Sequence, residues 1–271
     1  MLIQITNKCH EGCAHCLQCS NPEGHHMDET TFKNALRFAR FLGVSIFVLS
    51  GGEPTEHPQF YDFCEMLNHF IKSSKTRSGF SITSNGTWFP DRIDEMKKLA
   101  KLDSYIGMQV YTNPKWYKDA DYILNHKEEI ESIPKVTVET TDIRSMQDLG
   151  RARNNEAAQR QIATNPYYMS CLNGHLVFKQ IDQIRRLSGL DVRPGIMCKP
   201  MIDYQGNVHL SESCLCPSYG NVNDDYFIKL FKNLQEAKPC CKCALGKKFL
   251  TSEDVKIQVS RNLLGLEKSS E

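Results

Sequence analysis

Long hydrophobic runs are missing from this sequence, and so is an excess of charge of either sign. No apolar stretch reaches the roughly 18 residues that span a bilayer, and the opening MLIQITNKC lacks the charged and apolar regions of an export signal. With 33 Lys and Arg against 32 Asp and Glu, the net charge of +1 provides neither a basic field for nucleic acid nor an acidic tail. Glycine and proline, at 16 and 11 of 271 residues, are too few for a collagenous or low-complexity chain. The expectation is a soluble, cytoplasmic, globular protein without a membrane or nucleic-acid partner.

Cysteine is what the sequence has in quantity, with twelve residues. A secreted disulfide scaffold would be shorter and would carry an export signal. In a reducing compartment clustered thiols read as metal ligands. Cys9, Cys13, Cys16 and Cys19 form one group, and Cys198, Cys214, Cys216, Cys240, Cys241 and Cys243 form another, while Cys64 and Cys171 stand alone. Two groups point to two inorganic sites.

Between them, strand-like and helix-like segments alternate. LIQIT, SIFVLS, FSITSNGT, YIGMQVYT and KVTVETT read as strands, and the segments between them show helical spacing, with Gly43 as a stop and Pro90-Asp91 as a start. This alternation implies stacked βαβ units and a parallel sheet. From Asp142 to about Gly195 the pattern weakens and yields no sixth strand. MIDYQGNVHLS then reads as a hairpin turning at Gln205-Gly206-Asn207, and DDYFIKLFKNL as an amphipathic helix. The expected division is a βα core over 1–150, a connecting segment over 151–197 that could complete it, a Cys-rich extension over 198–250, and a helix and polar tail over 251–271.

Cys9, Cys13 and Cys16 have C-x3-C-x2-C spacing. Three thiolates can hold three irons of a [4Fe–4S] cube, whose full protein set is four, leaving one iron open to a substrate or cofactor. A four-cysteine zinc knot using Cys19, or a plain electron-transfer cluster, are the competing readings. Gly51-Gly52-Glu53-Pro54 follows the second strand, at the C-terminal edge where α/β barrels bind ligands.

The two motifs, in this order on βα units, resemble the radical S-adenosylmethionine (SAM) superfamily. The resemblance implies an α/β fold, a partial (βα)6 TIM-like barrel with a small Cys-rich extension of β-hairpin plus helix. It also implies a [4Fe–4S] cluster on Cys9, Cys13 and Cys16 whose open iron takes SAM, and a flavodoxin- or ferredoxin-type electron donor. Gly51 and Gly52 would leave room for the methionine moiety, and Glu53 would accept from its ammonium. His15 stands where the family usually has a large aromatic or apolar residue near the adenine. Ser84, Asn85 and Gln109, at the ends of the third and fourth strands, are further SAM-binding candidates; turn chemistry is the alternative for Asn85-Gly86. Arg151 or Arg153 could pair with a carboxylate.

The second group resembles the twitch form of the SPASM extension. The implied ligands are Cys198, Cys214, Cys240 and Cys243 around a second [4Fe–4S] cluster, with Cys216 and Cys241 as competitors and an all-cysteine zinc site as the alternative. Cys64 reads as a core residue and His25-His26 as a solvated pair. Cys171 is a candidate hydrogen donor, with core packing the commoner role. The function that follows is reductive cleavage of SAM to a 5′-deoxyadenosyl radical and hydrogen abstraction from a peptide side chain or small polar metabolite. The alternative is a non-catalytic iron–sulfur or zinc protein. The chain opens on its first strand, so a peptide substrate is expected to be recognised without a leader-binding domain in front of the barrel.

Overall fold

The computed structural model describes residues 1–74, 78–140, 150–163, 201–210, 214 and 216–235. Five βα-type strands, β1 (Leu2–Thr6), β2 (Ile46–Gly51), β3 (Gly79–Ser84), β4 (Tyr105–Thr112) and β5 (Val136–Thr140), alternate with helices α1 (Glu29–Phe41), α2 (Phe60–Lys72), α3 (Ile93–Leu99), α4 (Ala120–Asn125) and α5 (Lys127–Glu131). A 3₁₀ turn (Gly150–Asn154) and α6 (Glu156–Ala163) follow, then β6 (Met201–Ile202), β7 (Val208–His209) and α7 (Phe227–Gln235). The sheet order is β5-β4-β3-β2-β1-β6-β7, parallel throughout except for the β6–β7 hairpin.

Each element has a local cause. Asp28 caps α1 by accepting from the Thr31 backbone N–H at 2.7 Å, and Gly43, at φ +69°, ends it. Phe60, Phe63, Cys64, Leu67 and Ile71 recur at helical spacing on α2 and are all buried. Phe32 of α1 stacks on Phe63 of α2 with ring centroids 4.3 Å apart. The same core takes alternate strand residues: Ile3 and Ile5, Phe47 and Leu49, Phe80 and Ile82, Met108 and Val110, Val136 and Val138. Their neighbours in sequence point to the opposite face of the sheet.

The hairpin turns as its sequence predicts, with Gly206 at φ +88° and Met201 paired to His209. It is continuous with the main sheet, because Leu2 and Ile3 of β1 pair with Met201 and Ile202. Val208, Val222 and Leu230 join the principal core, and Phe227 packs against Phe38 of α1 at 5.4 Å. The helical segment after β4 is divided at His126, and α3 starts two residues after Asp91. No helix among the described residues is long and apolar enough to cross a membrane.

Candidate active site

Parallel strands bring the loops at their C-terminal ends to one edge of the sheet, and the two sequence motifs meet there. The loop leaving β1 carries Cys9, Cys13 and Cys16 and folds back on its own start. Cys9 N–H donates to Asn21 O at 2.9 Å, Asn21 N–H to Asn7 O at 3.2 Å, and Met27 N–H to Ile5 O at 2.8 Å. Gly12, at φ +60°, turns the chain between the first two cysteines, and Cys16 N–H donates to Cys13 O at 3.2 Å. All three thiols are free.

The Gly51-Gly52-Glu53-Pro54 turn is pressed against this loop. Gly52 N–H donates to Thr6 O at 2.7 Å and Glu53 N–H to Lys8 O at 2.9 Å, extending the β1–β2 pairing past the strands. A Cβ on Gly52 would collide with the Lys8 carbonyl and lie 2.8 Å from Cys9 Cβ. The glycines are therefore required by the protein itself: they let the cysteine loop approach β2, a reason additional to the ligand room that the motif implies.

Glu53 is fully buried and heavily engaged. Its Oε1 accepts from Thr55 Oγ1 at 2.6 Å, Ser84 Oγ at 3.0 Å and Thr55 N–H at 3.2 Å, and its Oε2 accepts from Asn85 N–H at 2.7 Å. Burial pushes this carboxyl up from its ordinary value while the four hydrogen bonds pull it down. Asn85 in turn directs Nδ2 at Cys9 Sγ, 3.8 Å away. Glu53, Ser84, Asn85 and Cys9 thus form one contiguous unit. Pro54, also buried, starts the 3₁₀ turn Pro54–Glu56 beneath it.

Gly150 and Arg151 hold the far side of the cysteine loop. Arg151 N–H donates to Cys16 O at 2.9 Å, and its Nε donates to Cys13 O at 2.8 Å. Gly150 sits at φ +56° against the Leu17 backbone. Arg151, expected as a carboxylate partner, is thereby committed to the loop carbonyls. Elsewhere Glu56 Oε1 accepts from His10 N–H at 3.1 Å and meets His10 Nδ1 at 2.6 Å, while Glu11 accepts from Lys118 N–H at 2.7 Å. These anchors carry no motif, and only their nearness to the cysteines in sequence could have suggested them.

The remaining candidates fall in different places. His15 lies edge-on to Trp116 and Tyr117, with centroids 5.5 and 5.2 Å away, and burial with the nearby Arg151 charge lowers it to about 4. It is neutral at pH 7. Gln109 is exposed on β4, in register with Thr83, and accepts from Tyr111 OH at 2.9 Å; it does not join the Glu53 unit. Cys64 is a fully buried core residue. His26 Nδ1 meets Thr6 Oγ1 at 2.9 Å and His25 stacks on Tyr204.

Cys19, the fourth thiol of the first group, is paired outside that group. Its φ is +55°, and it forms a disulfide with Cys214, 195 residues on, with a Cα–Cα separation of 6.0 Å. Cys214 N–H also donates to Leu17 O at 2.9 Å. Cys216 is buried and free. Cys171, Cys198, Cys240, Cys241 and Cys243 lie outside the described residues.

Three free cysteines on one loop are the donor chemistry that an iron–sulfur cluster takes. Burial pushes the Cys9 and Cys13 thiols up to about 12, with Cys16 adding to the rise at both and Cys9 adding to it at Cys13. Among the described residues no group of three or more Cys, His, Asp or Glu side chains is placed to hold a metal ion.

Residues 3–115 match the Radical SAM superfamily, and both motifs lie within the matched stretch. The S-adenosylmethionine-dependent nucleotide dehydratase of Thermoplasmatales archaeon (strain ISO4-H5) is 28% identical over 109 residues, which cover 40% of this chain and 36% of that protein. The match thus spans little more than a third of that relative's length. Among solved structures, BtrN in complex with AdoMet and 2-DOIA has a TM-score of 0.57 at 14% identity, covering 88% of this chain and 81% of that one. Native anSMEcpe with bound AdoMet and Cp18Cys peptide has a TM-score of 0.53 at 13% identity, covering 87% and 80%. Both share the fold.

Proposed function

We propose that this protein is an enzyme that uses Cys9, Cys13 and Cys16 to hold a [4Fe–4S] cluster and cleaves SAM there to initiate hydrogen abstraction from an organic substrate. The observation that carries the reading is the arrangement of the four N-terminal cysteines: three free thiols ring one loop, and the fourth is tied to Cys214. When bound, the cluster and SAM supply one-electron chemistry that no side chain provides.

The chain's own residues then have definable tasks. Cys9, Cys13 and Cys16 would hold the cluster, with Asn85 Nδ2 directed at the Cys9 sulfur. Arg151 donates to the carbonyls of Cys13 and Cys16 and so holds the ligand loop in place. Glu53 locks the end of β3 to the GGEP turn, holding the surface on which the methionine part of SAM would rest. His15, Trp116 and Tyr117 close the loop's outer side with neutral rings, which excludes water without adding charge.

A second, auxiliary cluster belongs to the same proposal, drawn from Cys198, Cys214, Cys240 and Cys243. Reduction of the Cys19–Cys214 bond, by the same low-potential donor that the reaction needs, would release Cys214 for it. The test is anaerobic reconstitution with iron and sulfide, then dithionite and SAM. Wild type should release 5′-deoxyadenosine, and Cys13→Ala should release none. A fully loaded wild type that leaves SAM intact would overturn the reading. Iron and sulfide counts decide the second site: about eight irons per chain for two cubes, about four with one zinc for a structural staple.

A further inference from the structure

Asn85 stands between the two motifs, and its side chain is oriented from both ends. Its Oδ1 accepts from Thr87 N–H at 3.0 Å and from Thr87 Oγ1 at 2.7 Å, while its own backbone N–H donates to Glu53 Oε2 at 2.7 Å. Turning the amide over would set its N–H₂ against the Thr87 N–H, two donors facing each other. Oδ1 therefore faces Thr87, and Nδ2 faces the Cys9 sulfur, 3.8 Å away. Asn85 and Cys9 are both buried, so water does not dilute the contact.

The sequence offers Asn85 two roles, turn chemistry and a contact to SAM. The bonds to Oδ1 are turn chemistry, and they leave Nδ2 directed at the cysteine loop. The sulfur it meets lies in a negative environment. Glu53 and Glu56 are near enough to oppose charge on Cys9, and so is Cys16. The Glu11 backbone N–H, from the same loop, offsets part of this. Asn85 adds a second donor from a strand end 76 residues on.

We infer that Asn85 is a positioning residue that raises the reduction potential of the cluster by donating Nδ2–H to the Cys9 sulfur. This rests on the reading of Cys9, Cys13 and Cys16 as cluster ligands. Hydrogen bonds to ligand sulfurs are one of the levers on iron–sulfur potentials. Reduction takes one electron from a low-potential donor, and no bond in the chain forms or breaks. The ligand sulfurs then carry more negative charge, and a hydrogen bond strengthens as its acceptor gains charge. Asn85 thus favours the reduced form, and Thr87 acts behind it by holding the amide in that orientation.

Wild type, Cys13→Ala, Asn85→Leu and Thr87→Val are reconstituted anaerobically with iron and sulfide and titrated with dithionite in the absence of SAM. The midpoint potential is read from the electron paramagnetic resonance component that Cys13→Ala removes. Asn85→Leu keeps the shape of the side chain, adds no charge and removes the donor. It should lower the reduced-to-oxidised ratio at a fixed potential by roughly tenfold, about 59 mV for a one-electron couple. Thr87→Val leaves Asn85 in place and removes one of the two bonds that orient it, so it should shift the ratio the same way by about threefold. Should Asn85→Leu fail to take up iron, Thr87→Val decides. An unchanged or raised potential in a loaded variant overturns the inference, even if the metal-free protein melts lower. So does a fall in SAM affinity at an unchanged potential, which would make Asn85 a SAM contact instead. Release of 5′-deoxyadenosine on adding SAM is scored separately: its absence from loaded wild type sinks the enzymatic reading and leaves the potentials to decide the role of Asn85.

Discussion

Replacing Gly150 by alanine perturbs the cysteine loop without touching a ligand. Gly150 holds φ +56°, a conformation that costs a residue with a β-carbon about 1–2 kcal/mol. The new methyl would also lie 2.6 Å from Leu17 O and 2.7 Å from Leu17 Cα, and it would meet Cys16 O more closely still. These are backbone atoms that no rotamer change can clear, so residues 150–151 must retreat. Retreat surrenders the hydrogen bond from Arg151 N–H to Cys16 O, about 0.5–1.5 kcal/mol, and the guanidinium bond to Cys13 O, about 1.5–3 kcal/mol. The expected destabilisation is about 3–6.5 kcal/mol. At about 2–4 °C per kcal/mol for a chain of this size, Tm of the metal-free protein falls on the order of 10 °C. Iron and acid-labile sulfide after reconstitution should fall with it, and Arg151→Ala should reproduce part of the loss with the backbone unstrained. A Gly150→Ala protein that melts with wild type and takes a full complement of iron refutes the clamp.

Three further outcomes follow from the same geometry. Both ring nitrogens of His209 face acceptors, Nε2 the Asp203 carboxylate at 2.9 Å and Nδ1 the carbonyls of Cys216 and Pro217 at 3.0 and 3.2 Å, so the ring is an imidazolium. Burial opposes that charge, but Asp203 and Cys216 raise the ring from 6.5 to about 10, and its stabilisation is complete below pH 6.5 and lost as pH climbs through about 10. Although burial pushes the Asp203 carboxyl up, hydrogen bonds from His209 and Asn207 hold it below 3.8, so its share is present above pH 3.8 and lost as pH falls through that depressed value. The melting gap between wild type and Asp203→Asn should be widest between those limits and narrow toward pH 10; a gap constant with pH is incompatible with the ion pair. Glu53→Gln sets an amide N–H₂ against at least one donor among Thr55, Ser84 and Asn85, which should cost about 2–4 kcal/mol and loosen SAM binding; unchanged stability by urea titration would contradict it. Finally, non-reducing peptide mapping should recover Cys19 linked to Cys214, and reduction should expose that pair of thiols while Cys216 reacts only after unfolding.

Much of this was legible in one dimension. Strand and helix alternation is a local property, so LIQIT, IFVLSG and YIGMQVYT could be read from side-chain type alone, and Gln205-Gly206-Asn207 announced the hairpin. The C-x3-C-x2-C spacing and the GGEP turn both lie within residues 3–115, which match the Radical SAM superfamily. The connection between them was not local. Glu53 meets Asn85 because β2 and β3 run parallel and end together, and Cys9 meets Gly52 because β1 and β2 do. The family resemblance made Glu53 an acceptor for the ammonium of SAM; the fold spends both of its oxygens on protein donors first.

What the chain determined by itself is the set of chemical groups and the order of the elements, since periodicity, turn residues and thiol spacing act over a few positions. Only tertiary structure decided how those groups are partnered: Arg151 with the carbonyls of the cysteine loop, Gly52 under the Lys8–Cys9 backbone, Cys19 with Cys214 across 195 residues. Each of these contacts joins segments far apart in sequence, and parallel register and core packing bring them together where no local pattern records it.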